Sequence, residues 1–257
     1  MVCLGRCLRP ALAVFICSFF PVSAQAGSGS LNDELLDRLT AAAPLLDGFV
    51  LEAAFNASRC AVSAGLAVPE RLAVIDFSLP SAKKRLWIFD LNLGKLVLSD
   101  LVAHGKNSGN VLSTEFSNVE GSHQSSIGLF RGSESYYGKH GYSLRLDGLE
   151  PGFNDRARER AIVIHGAGYV NETWINRYGR IGRSHGCPAV DSRVIERVVD
   201  NLKDGQFVFK YYPDQEWLRG SEYLNCTDGT VAGEVDGTES GAGGIADKAE
   251  IGYPVNS

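Results

Sequence analysis

The chain has 257 residues, 25 of them basic and 30 acidic, for a formal net charge of −5, and 44% are hydrophobic. That apolar content is enough for a sizeable core and excludes a wholly disordered chain. No basic patch or stripe accompanies the acidic balance, so nucleic acid is excluded as an expected partner.

In chain order, Arg6 and Arg9 give a basic start, Ala11 to Phe20 is apolar, and Ala24-Gln25-Ala26 offers a small-x-small cleavage site. Residues 1–26 therefore read as a secretory signal, with the mature chain expected in the periplasm or cell envelope. The apolar run is shorter than the ~20 residues of a spanning helix and is broken by Pro21, so no membrane span is expected in the mature chain. Cleavage would remove Cys3, Cys7 and Cys17 and leave Cys60, Cys187 and Cys226 where disulfides can form. If Cys60 and Cys226 pair, Cys187 is the one left over; the alternative is three buried thiols.

Residues 27–69 read as an N-terminal helical segment. Ser30 and Asp33 resemble a cap and acidic first turn, Leu31, Leu35, Leu36 and Leu39 share a face, and Pro44 ends that helix. A second helix is predicted from Asp47 to Ala64, stopping at Gly65. Over residues 70–225 the period changes. Leu72 to Phe77, Arg85 to Leu91, Lys95 to Ala103, Ser126 to Arg131, Tyr142 to Leu146, Ala161 to Ile164 and Gln206 to Tyr212 read as strands punctuated by glycine. A short helix or lid is predicted over Tyr169 to Tyr178, and Val194, Ile195, Val198, Val199 and Leu202 make a helix stripe. The fold class is mainly β with flanking helices, α+β. Residues 226–257 carry six acidic residues against Lys248 alone and almost no aromatics, the composition of a disordered tail.

The chemistry concentrates in Ser184-His185-Gly186-Cys187-Pro188. Gly and Pro flank the thiol, leaving room for a substrate backbone and fixing the turn. A free cysteine is mostly protonated at neutral pH, and a neighbouring imidazole favours the thiolate. His185 lies two residues away and His165 ends the preceding strand; a base delivered from a separate rigid strand has the better geometry. A zinc site of His165, His185 and Cys187 is chemically allowed, but His-x-Cys crowds two ligands into one tight turn, and no metal is expected. An envelope-binding protein with an idle cysteine is the remaining alternative.

Two runs, Ile162-Val163-Ile164-His165-Gly166 and Arg183 to Val190, resemble the His…Ser-His-Gly-Cys signature of L,D-transpeptidase (YkuD-like) catalytic domains, in the subgroup with Ser-His-Gly-Cys-Pro-Ala. Val102 to Gly109, Gly121 to Gly128 and Tyr136 to Tyr142 resemble upstream parts of one subgroup, so the likeness covers about residues 70–212. It implies a β-sandwich core preceded by the two helices, no cofactor, and peptidoglycan stem peptides as donor and acceptor. Cys187 would attack the donor carbonyl, D-alanine would leave, and an amine would resolve the thioester, or water in an L,D-carboxypeptidase. His165 would shuttle protons, Ser184 and His185 would support the thiol turn, and the N–H groups of Gly186 and Cys187 would face the oxyanion. His104 and Tyr137 are further candidates for the cleft. Two features depart from the pattern: eighteen residues, Gly166 to Arg183, separate the histidine from the Ser-His-Gly-Cys run, and Pro188-Ala189 stands where many members place an apolar residue and arginine. Arg180 or Arg183 is the candidate replacement as carboxylate anchor, against the alternative of solvated loop charges.

Overall fold

The computed structural model describes residues 31–226. The signal sequence, the Ser30 cap and the tail after Cys226 lie outside the described residues. Helix α1 (Asp33–Ala42) is capped by Asn32, whose side chain accepts from Leu35 N–H, and α2 (Gly48–Ser63) by Asp47, which accepts from Phe49 N–H. The strands are β1 (Arg71–Asp76), β2 (Leu86–Asp90), β3 (Lys95–Asp100), β4 (Gly128–Gly138), β5 (Gly141–Gly148), β6 (Val163–Gly166), β7 (Ala189–Val190) and β8 (Phe207–Tyr211). Helix α3 (Glu172–Tyr178) follows β6, α4 (Ile195–Leu202) follows β7, and α5 (Gln215–Gly220) follows β8.

All eight strands join one mixed sheet in the order β3-β2-β1-β8-β4-β5-β6-β7. The β1–β8 and β6–β7 pairs are parallel and the other five antiparallel. Strands β2 and β8 are buried at every position and β1 at all but Arg71, so this half of the sheet is covered on both faces. Helix α2 packs against β1, β8 and β4, and α4 against β5, β1, β4 and β6. Phe55, Phe77, Phe89, Phe130, Phe207, Phe209 and Trp217 are fully buried there, each contributing about 1.5–3 kcal/mol relative to exposure.

Cys60 on α2 and Cys226 are joined by a disulfide with Cα atoms 6.2 Å apart, which ties the end of the described chain to the first helical layer. The boundary predicted at residue 226 therefore falls on a residue held by the body. Helix α5, which sequence reading left out, places Trp217 in the core with its Nε1 donating to the buried Glu150 at 2.7 Å.

The sheet narrows toward the chemistry. Strand β7 has only two residues, and β4 extends past the predicted Arg131 to Gly138, forming with β5 a hairpin whose outer half is largely exposed. Beyond β6 the long insertion is anchored by a second small apolar cluster of Leu101, Ala103, Ala167, Val170, Ile181 and Ala189.

Candidate active site

Cys187 sits at the entry to β7, beside the start of β6. Its Sγ accepts from Val163 N–H at 3.5 Å and donates to Ala161 carbonyl at 3.7 Å. Ala161 has φ 52°, a conformation that a residue with a Cβ rarely adopts, and this turn aims its carbonyl at the thiol. Cys187 is the free cysteine of the described residues. Burial pushes its thiol up, and the Val163 N–H, Lys210 and Arg160 pull the other way. Burial thus favours the protonated thiol, which is held by its Val163 and Ala161 contacts.

The turn is built by Ser184. Its hydroxyl donates to Cys187 carbonyl at 2.6 Å and accepts from Gly186 N–H at 3.0 Å. Gly186 has φ 121°, and a Cβ there would stand 2.9 Å from Gln124 carbonyl, so only glycine fits without strain. Of the two N–H groups expected to face the oxyanion, that of Gly186 donates to Ser184, whereas that of Cys187 has no acceptor among the described residues. From the other side, Ser125 Oγ donates to Gly186 carbonyl at 3.1 Å, and Lys106 N–H donates to Ser184 carbonyl at 2.8 Å.

His165 pairs with Ala189 across β6–β7 and is 4% exposed. Its Nδ1 lies 3.0 Å from Gly166 carbonyl, which selects the tautomer protonated at Nδ1 and leaves Nε2 with a lone pair. Burial lowers its pKa below the ordinary 6.5, the Gly166 bond opposes this, and the nearby His140 adds to it. His140, at the tip of the β4–β5 hairpin, stacks on His165 with centroids 4.5 Å apart. His185 is exposed and stacks on His123 at 4.5 Å. Among the described residues the hydrogen bonds of Sγ run to Val163 and Ala161, not to an imidazole.

The other predicted residues divide. His104 is fully buried: its Nδ1 lies 2.7 Å from Arg85, itself buried against Val102 and Leu79 carbonyls. Burial and the Arg85 charge push His104 down to about 3, so it is a neutral interior residue where the sequence suggested a cleft-lining one. Tyr137 is 78% exposed and stacks on Tyr142, in a groove with Tyr136, Glu196 and Asp200 on the outer half of the hairpin. Arg183 donates from one nitrogen to Lys106 and Gly109 carbonyls, and Arg180 to Ile181 carbonyl, so both are partly committed to loop structure. No group of three or more His, Cys, Asp or Glu side chains among the described residues is arranged to hold a metal ion.

Sequence reading missed Arg160, Tyr169 and Lys210. Arg160 bonds Ser117 carbonyl, Ser126 Oγ, Ser122 Oγ and Gln124 carbonyl, pinning the segment against the thiol turn. Its place in Arg156-Ala157-Arg158-Glu159-Arg160 resembles a solvated charge run. Lys210 interrupts the apolar run Phe207-Val208-Phe209-Lys210-Tyr211, and that interruption was the available signal.

A family model for the L,D-transpeptidase catalytic domain matches residues 43–211, and the chain belongs to that family. Among solved structures it is similar to an L,D-transpeptidase from Mycobacterium smegmatis, at 14% identity and TM-score 0.35 over 56% of this chain and 59% of that one. It is also similar to one from Stackebrandtia nassauensis, at 14% identity and TM-score 0.34 over 70% and 77%. L,D-transpeptidase 3 from Mycobacterium tuberculosis gives 11% identity and TM-score 0.36 over 56% and 62%. The chain thus spans about three-fifths of the length of the first of these. No curated protein matches it.

Proposed function

We propose that the protein is a peptidoglycan L,D-transpeptidase of the Ser-His-Gly-Cys-Pro-Ala subgroup, exported by residues 1–26 and acting in the periplasm or cell envelope with Cys187 as nucleophile. The observation that carries this reading is a free thiol on a turn fixed by Ser184, held by Val163 N–H of β6, the strand that also carries the imidazole of His165 oriented by Gly166 carbonyl. Membership of the family gives the reaction class.

Rotation of the Cys187 side chain away from Ala161 turns Sγ toward the substrate. Sγ attacks the carbonyl of the diamino acid that precedes D-alanine in the donor stem. An S–C bond forms, the C–N bond breaks, and D-alanine leaves with a proton on its amine. The negative oxygen faces Cys187 N–H, worth on the order of 10²–10³ in rate for one such donor. His165 Nε2 takes the Sγ–H proton as the S–C bond forms and hands it to the departing amine; it then takes one proton from the amine of an acceptor stem and returns it to Sγ as the acyl group leaves, which restores the thiol. Its lowered pKa keeps it a base at neutral pH. Ser184 and Gly186 hold the turn, His185 and Tyr137 border the approach, and Arg180 or Arg183 offers its uncommitted nitrogens to a stem carboxylate.

The test is incubation of the mature protein with purified tetrapeptide muropeptides. Crosslinked product, free D-alanine and an acyl adduct of Cys187 by mass spectrometry are expected, and Cys187→Ala should remove all three. Free D-alanine with a shortened stem and no crosslink would make the enzyme an L,D-carboxypeptidase; unchanged turnover in Cys187→Ala would overturn the nucleophile.

A further inference from the structure

The β4–β5 hairpin carries an arginine that the chemistry above does not use. Across the sheet Tyr136 pairs with Ser143, Ser143 with His165 and His165 with Ala189, and cross-strand partners point the same way, so the four share one face. Arg145, two residues beyond Ser143, is on that face too. Its partner on β6 is Val163, whose N–H meets Cys187 Sγ at 3.5 Å. Strand pairing thus puts Arg145 beside the segment that holds the thiol and carries His165.

The guanidinium is held in place with donors to spare. It lies over the Tyr136 ring, 4.5 Å from the centroid, and that ring rests on Gly138, where a Cβ would stand 2.7 Å from it. Its Nε faces Glu134 at 3.0 Å, while Nη1 and Nη2 bond nothing among the described residues, and the side chain is 37% exposed. Glu134 does not depend on it, because Arg158 grips both carboxylate oxygens at 2.9 Å. In the bridged group Arg131, Arg145 and Arg158 face Glu134 and Asp147, three cations to two carboxylates, on a chain of net charge −5. An exposed ion pair adds little to stability, whereas a stacked planar fork with free nitrogens suits bidentate binding of a carboxylate.

The spacing selects which carboxylate. Tyr136 stands two strands from His165, roughly 10 Å at ~4.8 Å per strand, and an extended peptide covers ~3.3–3.6 Å per residue, so the gap holds two to three residues. The carboxylate of the leaving D-alanine is one residue from the scissile carbonyl and is too near. We propose that Arg145, stacked on Tyr136, binds an internal carboxylate of the donor stem, on the side of the scissile carbonyl that stays attached to Cys187. The fork fixes where the acyl part of the stem lies, and Arg180 or Arg183 remains for the leaving side. The inference rests on the donor being a stem peptide, as proposed above.

The test reads binding apart from turnover. Tetrapeptide stem, and analogues amidated at the internal carboxylates or at the C-terminus, are titrated calorimetrically into Cys187→Ala protein with and without Arg145→Met. Removing the fork is expected to weaken binding of the free stem about tenfold, the worth of a charge-assisted pair. Internal amidation should cost the parent a similar factor and the Arg145→Met protein nothing further, while C-terminal amidation costs both alike. Arg145→Lys keeps the charge without the fork and should recover only part of the loss. Tyr136→Leu is the second variant, should Arg145→Met not melt cooperatively; it removes the platform and is expected to weaken binding severalfold. A parent that does not bind the stem, equal losses on internal amidation with and without Arg145, or a loss tied to the C-terminal carboxylate alone overturns the proposal. With Cys187 intact, unchanged KM in Arg145→Met overturns the subsite and leaves the transpeptidase reading standing. Arg145-dependent binding without release of D-alanine or crosslinking overturns the transpeptidase reading alone.

Discussion

The two ends of the sheet are built by different physics. Around β1, β2 and β8, burial on both faces and long ladders hold the chain, and side chains interlock as aromatic pairs such as Phe209 with Trp217. Around β6 and β7, the ladders shrink to a few residues, and the backbone is held by side-chain hydroxyls and guanidinium groups: Ser184, Ser125, Ser108 and Arg160. The first end supplies stability through area; the second supplies position through directional bonds whose net worth is small but whose loss misplaces a reacting atom. Changes in the first should therefore alter stability, and changes in the second reactivity.

The sharpest way to break that contrast is Phe209→Ala, which empties a fully buried site in β8. It is expected to cost about 3–5 kcal/mol in denaturant unfolding, while the protein that stays folded keeps its Cys187 alkylation rate. Next is the Cys60–Cys226 bond, which closes a sequence separation of 166 residues. Cys60→Ser with Cys226→Ser should lose about 2–4 kcal/mol, again with the thiol unaffected. A rate change of tenfold or more in either variant would mean the two ends are coupled. Ser184→Ala probes the other end. It leaves Cys187 carbonyl without its donor and frees Gly186 N–H, so turnover should fall on the order of 10²-fold while the melting midpoint moves little. Faster turnover would instead make the freed Gly186 N–H a better oxyanion donor than the intact turn allows.

The same contrast explains what the sequence made legible. Strands such as Leu72 to Phe77 and Arg85 to Leu91 announced themselves because apolar runs between glycines record burial, a local property. Their order did not: β8, last in the chain, pairs parallel with β1, and nothing in Phe207 to Tyr211 names that partner. At the site, Cys187, His165, Ser184 and Gly186 were readable because they lie in two short runs. Arg160 was not, since a guanidinium that bonds four groups from residues 117–126 looks in sequence like one more charge in Arg156 to Arg160. His104 shows the converse: its buried contact with Arg85 spans 19 positions, and the run Ala103-His104-Gly105 carries no sign of that contact.

The smallest expected effect concerns the His140–His165 stack, where the hairpin of β4 and β5 reaches over the site. Both burial and the His140 charge hold His165 below the ordinary 6.5, favouring its neutral form. A base must be neutral, so the acid limb of kcat/KM is expected below pH 6.5, with activity rising as pH passes upward through the lowered value. The same depression links to stability: the folded state resists protonating His165, so its contribution is present above the unfolded value and is lost as pH falls through the folded one. His140→Ala removes a like charge and admits water to the ring, and both changes raise the pKa of His165. The acid limb should move to higher pH by a fraction of a unit, with the neutral-pH rate nearly unchanged and the alkylation profile of Cys187 in place. A limb that moved to lower pH would mean that the stack stabilises the imidazolium, and the proton-shuttle role of His165 would then have to operate from its charged form.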